Sequence, residues 1–133
     1  MPMSTPGSTT ARRASVAGAL FGGSGVAAGA FGAHALRARL APEMLGVFET
    51  AARYQLLHAL ALFAAAWVAV QWPGRWANAA VALLCAGIIL FSGSLYLLVL
   101  TGDHLFGALT PLGGGLLILA WLALALAPLR GVP

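Results

Sequence analysis

Twenty consecutive residues, Ala14 to Ala33, carry no charge, and glycines recur among them at Gly18, Gly22, Gly25, Gly29 and Gly32. The spacings are four, three, four and three. That rhythm places these five along one side of a helix. In water such a helix is poor, because each interior glycine costs about 1 kcal/mol relative to alanine. In a bilayer the balance changes. Unsatisfied backbone is so costly in hydrocarbon that the helix persists, and a glycine row lets a second helix come close. The stretch is expected to be a membrane span with the row as its packing seam.

The rest of the chain agrees. Hydrophobic residues make up 61% and charged residues 8% of it, against about 25% charged in soluble domains. So few polar side chains cannot cover a core, and lipid must be the solvent. At about 20 residues per crossing, 133 residues allow four or five spans at most.

Four apolar runs are expected to span, at about 14–33, 52–70, 77–100 and 108–127. Residues 1–11 are rich in Ser, Thr, Pro and Gly and are expected to form a flexible tail, with 12–133 a single transmembrane bundle. Arg12-Arg13 before an apolar run and Ala33-His34-Ala35 after it resemble a secretory leader and its cleavage site. The run is too long and too glycine-patterned for that, so it is expected to be an uncleaved first span. Residues 42–51 are too polar to cross. Pro42 and Glu43 suit a first helical turn, and the segment is expected to be a short amphipathic helix at the interface, or to lead into the next span. Glu49 and Arg53 stand at i,i+4 in the favourable order. Trp72 and Trp76 flank the Pro73-Gly74 turn as interfacial anchors. The fold class is therefore all-α: a four-span transmembrane helix bundle with a short amphipathic helix between spans 1 and 2.

Four spans put both termini on one side, with Arg12, Arg13, Arg75 and Arg130. Arg37, Arg39 and Arg53 fall on the other. The positive-inside rule then favours both termini in the cytoplasm of a multi-pass inner-membrane protein. The arginines sit at span ends, in no basic run with interleaved aromatics, so nucleic acid is not an expected partner. The lone Cys85 excludes an intrachain disulfide and any cysteine-paired zinc site.

The same alternation gathers the polar chemistry. Glu43, Glu49, Asp103, His34, His58 and His104 all fall toward the end holding the first and third connections. Tyr54 and Gln55 open the second span, Ser92, Ser94 and Tyr96 lie late in the third, and Thr110 opens the fourth. If the second span enters hydrocarbon near Ala52, His58 sits about 9 Å inside. An ionisable group at that depth faces the bundle and has a partner. Ser92, Ser94 and Tyr96 are the expected partners, with Tyr54 one turn earlier on the same helix.

No enzyme signature accompanies these residues. No two histidines share a helix at ligand spacing, no nucleophile elbow surrounds a serine, and without any lysine there is no phosphate-binding loop. No catalytic residue, cofactor or metal is expected. Gly113 to Gly115 behind Pro111 read as packing or a weak point of the helix.

Four ordered motifs then carry a resemblance. Gly29-Ala30-Phe31-Gly32-Ala33-His34 is the first. Phe48-Glu49-Thr50 with Arg53-Tyr54-Gln55 and His58-Ala59-Leu60-Ala61-Leu62 is the second. Leu90-Phe91-Ser92-Gly93-Ser94-Leu95-Tyr96 and Thr110-Pro111-Leu112-Gly113-Gly114 complete the set. Together they resemble the YgdD-like family of small bacterial inner-membrane proteins, classed only as a domain of unknown function. The resemblance implies four spans in an inner membrane and supplies no activity or catalytic residues. Its motifs coincide with the polar end, which makes His34, Glu49, Arg53, Tyr54, Gln55, His58, Ser92, Ser94, Tyr96 and Thr110 the candidate site.

Three functions follow as expectations. The first is a non-enzymatic bundle acting by association, as a homo-oligomer or an accessory subunit of a membrane complex. The second is a carrier for a small solute, ion or proton along His58. The third is an intramembrane enzyme, or a quinone or lipid-headgroup binder, using the polar end, which requires a cleft.

Overall fold

A computed structural model describes residues 5–130. Four long helices fill it: α1 Pro6–Phe31, α2 Pro42–Gln71, α3 Arg75–Thr101 and α4 His104–Arg130. All four are long and apolar enough to cross a membrane. The shortest has 26 residues, about 39 Å at 1.5 Å per residue, against a hydrocarbon core of about 30 Å.

Two boundaries differ from the sequence reading. The first helix begins at Pro6, where a flexible tail through residue 11 was expected, because proline fits a first helical turn and Thr9 N–H already bonds the Thr5 carbonyl. Residues 1–4 of that tail lie outside the described residues. The second difference concerns the amphipathic segment. No separate interfacial helix spans 42–51, since α2 runs unbroken from Pro42 to Gln71. Pro42 starts a helix, but Thr50, Ala51 and Ala52 give nothing that stops one, so the wet turns and the apolar span join. A π-helical turn, Gly32–Leu36, ends α1.

The other turns are short and locally determined. Gly74 joins α2 to α3 at φ 149, a region essentially closed to other residues. Gly102 ends α3 in the left-handed conformation, its N–H bonding the Leu98 carbonyl. Asp103 Oδ1 then accepts from Leu105 N–H at 3.0 Å, capping α4.

The helices pack in chain order. α1 lies on α2, α2 on α3 and α3 on α4, with only slight α1–α3 and α2–α4 contact. Among the described residues the backbones of α1 and α4 do not come close, though Ala11 and Ala14 share core clusters with Leu117, Ala120 and Ala127. The bundle is therefore open on its α1–α4 side, with α2 and α3 central. Small residues make the core: Ala14, Ala61, Ala65 and Ala120 surround Leu62, Leu84, Ile88 and Leu117. Large apolar side chains such as Leu20, Leu60, Trp67, Leu100 and Leu122 face outward, where lipid receives them.

The α1–α2 seam uses part of the glycine row. A Cβ at Gly18 would meet the Ala59 carbonyl oxygen at 3.0 Å, one at Gly25 would meet Leu56 at 2.9 Å, and one at Gly32 would meet Phe48 at 2.9 Å. Gly22 has only Ala59 Cβ at 3.8 Å, and Gly29 has nothing within 4 Å. The closest approach in the molecule lies elsewhere. Gly113 of α4 rests on the α3 backbone, where a Cβ would meet Phe91 N and would stand 2.6 Å from Phe91 Cα.

Candidate functional site

The candidate residues form four separate knots, and three of the ten stand apart. The largest knot is built on Gln55, which α2 turns inward. Its amide N–H groups donate to the Phe21 carbonyl at 2.9 Å and to Ser24 Oγ at 2.8 Å, both on α1. Its Oε1 accepts from the Tyr96 hydroxyl of α3 at 2.8 Å. A carbonyl only accepts, so the bond to Phe21 fixes which way the amide points. Ser24 passes its own proton to the Leu20 carbonyl at 2.7 Å. One side chain thus links three helices.

His58 makes the second knot. It is buried and stands halfway along α2, about 24 Å from the start of that helix at Pro42. Its partners differ from the serines and Tyr96 expected of it. Nδ1 lies 2.7 Å from the Tyr54 carbonyl, and Nε2 accepts from the Trp121 indole N–H at 3.2 Å. A carbonyl can only accept and an indole N–H can only donate, so the two neighbours select the neutral ring with its proton on Nδ1. The Tyr54 ring stacks on His58 at 5.9 Å, and Trp121 meets it edge-on at 6.0 Å.

The remaining two knots are hydroxyl bonds. Ser92 is buried and donates to the Ala51 carbonyl at 2.7 Å, tying α3 to α2. Ser94 and Thr110 share a proton at 2.7 Å, tying α3 to α4. His34, Glu49 and Arg53 are exposed and take no part. Glu49 and Arg53 do not form the expected pair, since neither makes an ion pair or hydrogen bond among the described residues. No group of three or more His, Cys, Asp or Glu among the described residues stands together as a metal site. No buried polar side-chain atom among them lacks a partner. The inward polar side chains are thus satisfied within the protein.

Several clefts open among the helices: about 500 Å³ beside Thr10, Arg13 and Asn78, about 340 Å³ beside Ser24, Gln55 and Tyr96, and one at His58. This last, a groove of about 780 Å³, runs between α2 and α4, with Phe91 of α3 beneath it. Tyr54, His58 and Trp121 supply its polar edges, while Leu57, Ala64, Gly114 and Ile118 are among its apolar walls. The Tyr54 hydroxyl has no partner among the described residues. Sequence reasoning missed Trp121, and a signal for it existed. A tryptophan in mid-span, away from the interface where Trp collects, needs a partner for its N–H.

The comparisons fit this geometry. Residues 28–114 match the family model described as "Protein of unknown function (DUF423)", a region that takes in the Ser92 and Ser94 knots whole and, of the Gln55 knot, Gln55 and Tyr96 but not Phe21 and Ser24. The chain belongs to the DUF423 family. Its relatives include the UPF0382 membrane protein YwdK of Bacillus subtilis, 42% identical over 79% of this chain and 86% of that protein. The UPF0382 membrane protein SAB0533 of Staphylococcus aureus is 41% identical over 86% of this chain and 93% of its own length. No solved structure matches significantly. Among DUF423 features, the His58–Trp121 bond is only half inside the matched region, since Trp121 lies beyond residue 114.

Proposed function

We propose that this DUF423 protein is a non-enzymatic inner-membrane bundle that holds the apolar chain of a neutral lipid, acyl or isoprenoid, in the α2–α4 groove. The observation that carries this is the groove itself. Its volume of about 780 Å³ falls in the range of small-molecule sites, about 300–1,000 Å³. Its α2 wall runs from Tyr54 to Ala64, the middle third of that helix, so a bilayer would present hydrocarbon to it. At the polar-end edge the Tyr54 hydroxyl is free to donate to a carbonyl on the lipid. The gathering of the polar candidate side chains toward one end speaks against a carrier, because a permeation path needs polar groups or water across both halves.

The test is photolabelling in liposomes with a lipid bearing a diazirine in mid-chain. Label is expected to concentrate on Leu57–Ala64 and Gly114–Trp121 over the equally lipid-facing Val16–Val26. Ala64→Trp, at an exposed position lining the groove, should abolish the concentration. Even labelling of all helices, or enrichment that survives this substitution, would refute the reading.

Association with a second copy keeps one observation in its favour. Gly18, Gly25 and Gly32 are occupied within the chain, but Ala19, Gly23, Ala27 and Ala30 form a further small-residue row exposed on α1. The arginine distribution, four against three, supports both termini in the cytoplasm.

A further inference from the structure

The end of the bundle opposite the polar knots holds a different chemistry. The α2–α3 turn and the last turn of α4 enclose a pocket of about 180 Å³ lined by Trp72, Gly74, Arg75, Trp76 and Arg130. The turn brings Arg75 there because Pro73 and Gly74 end α2 and α3 starts at once. The guanidinium of Arg75 lies over the Trp76 ring, 5.1 Å from its centre, so the cation is held in place before any ligand arrives. Arg130 comes from the C-terminal turn of α4, and the two arginines converge from different helices on one hollow. Neither indole N–H, of Trp72 or Trp76, has a partner among the described residues.

Among the described residues no acidic side chain faces this pair. All three acids, Glu43, Glu49 and Asp103, lie at the other end, on the first turns of α2 and at the α3–α4 turn. At this end the side chains of Arg12, Arg13, Arg75 and Arg130 are joined by no acidic side chain. At the other, three arginines face three acids, a balance of zero. Two tryptophans beside two arginines at a span end also mark the headgroup level, where indole rings and guanidinium groups collect. A group that enters here meets water on one side and lipid on the other.

We infer that this pocket binds the phosphate of an anionic membrane lipid. Arginine suits it, because the planar fork takes two phosphate oxygens at once. Basic pockets between spans are a recognised way to hold anionic headgroups. The site is independent of the α2–α4 groove, since it rests on charge convergence at the span end and not on the apolar walls.

The test uses delipidated protein in a neutral detergent, titrated with phosphatidylglycerol and followed by native mass spectrometry. The Arg75→Gln/Arg130→Gln double variant should bind about thirty-fold more weakly, at about five-fold per arginine. Arg37→Gln/Arg39→Gln, removing equal charge from the other end, should leave binding within about two-fold of the parent, less than the loss of one contacting arginine. Arg75→Lys/Arg130→Lys keeps both charges without the fork and should bind between the parent and the glutamine pair, which marks the loss as one of charge and not of folding. Equal loss in the two glutamine pairs would overturn the site, as would parental binding by Arg75→Gln/Arg130→Gln. Displacement of the lipid by inorganic phosphate at matching concentration would overturn the lipid as its source, and phosphatidylcholine binding as tightly would overturn the anionic requirement.

Discussion

The α1–α2 and α3–α4 seams are both antiparallel helix pairs set close by glycine, and they achieve closeness differently. On α1 the approach is spread over Gly7, Gly18, Gly25 and Gly32, and what each faces is a carbonyl oxygen or a side chain. On α4 it is concentrated at Gly113, which faces the Phe91 backbone itself. The polar ties differ in the same sense. Gln55 alone makes two bonds across to α1, while Ser94 and Thr110 share one proton between α3 and α4. On the α3–α4 seam Gly87 faces mainly the Leu117 side chain, which can shift. The contact at Gly113 cannot, because backbone has no rotamer to change.

The largest effect is therefore expected at Gly113→Ala. The new methyl would meet Phe91 N, Phe91 Cα and the Leu90 carbonyl carbon, and only separation of α3 from α4 relieves that. The cost should be about 3 kcal/mol, at the upper end for overpacking, read as lost thermal stability in detergent. Gly25→Ala should cost less than a third of that, because Leu56 Cδ2 is the far end of a flexible side chain. Equal losses at the two positions would erase the distinction between the seams.

Gln55→Leu should come next, at about 1–3 kcal/mol. It strands the Tyr96 hydroxyl and removes both donors to α1, and a buried group left unpaired costs on this scale. Tyr96→Phe should cost about 0.6 kcal/mol, the usual worth of one interhelical bond in a membrane. In the double variant the two losses should not add, since the substitutions share a bond. Additive losses, measured by the same unfolding, would show that the Gln55–Tyr96 bond contributes nothing.

These seams also mark what sequence can convey. The number of spans was legible because charge-free runs of about 20 residues have only one solution in lipid. The turns were legible because Pro73-Gly74 and Gly102-Asp103 interrupt those runs. That Gln55 and Tyr96 fall at one level was legible from alternation of the spans. Their third partner was not, because the Phe21 carbonyl is backbone and every residue has one. The continuity of α2 through Ala51 was hidden for a related reason: a change in polarity along a helix resembles a boundary, yet helix propensity is indifferent to it. The partner of His58 was hidden because Trp121 reads as one more apolar residue of its span, and its single N–H is less conspicuous than the hydroxyls of Ser92, Ser94 and Tyr96. Gly113 sat in a run of three glycines, and nothing local distinguishes the one that touches from Gly115, which has open space around it.

The smallest effect is expected at Gly29→Ala, and it separates rhythm from contact. Gly29 keeps the four-three spacing, yet nothing lies within 4 Å of the methyl it would gain. Within the isolated chain the substitution should be neutral to within about 0.5 kcal/mol, like other changes away from packed contacts. It should even help slightly, since alanine favours helix over glycine. Gly22→Ala, with only Ala59 Cβ at 3.8 Å, should behave alike. A clear loss at Gly29, with Gly22 unaffected, would mean that something outside this chain presses on that position. Crosslinking of the parent protein would then identify it, and a self-crosslink lost in Gly29→Ala would shift weight from the α2–α4 groove to association along α1.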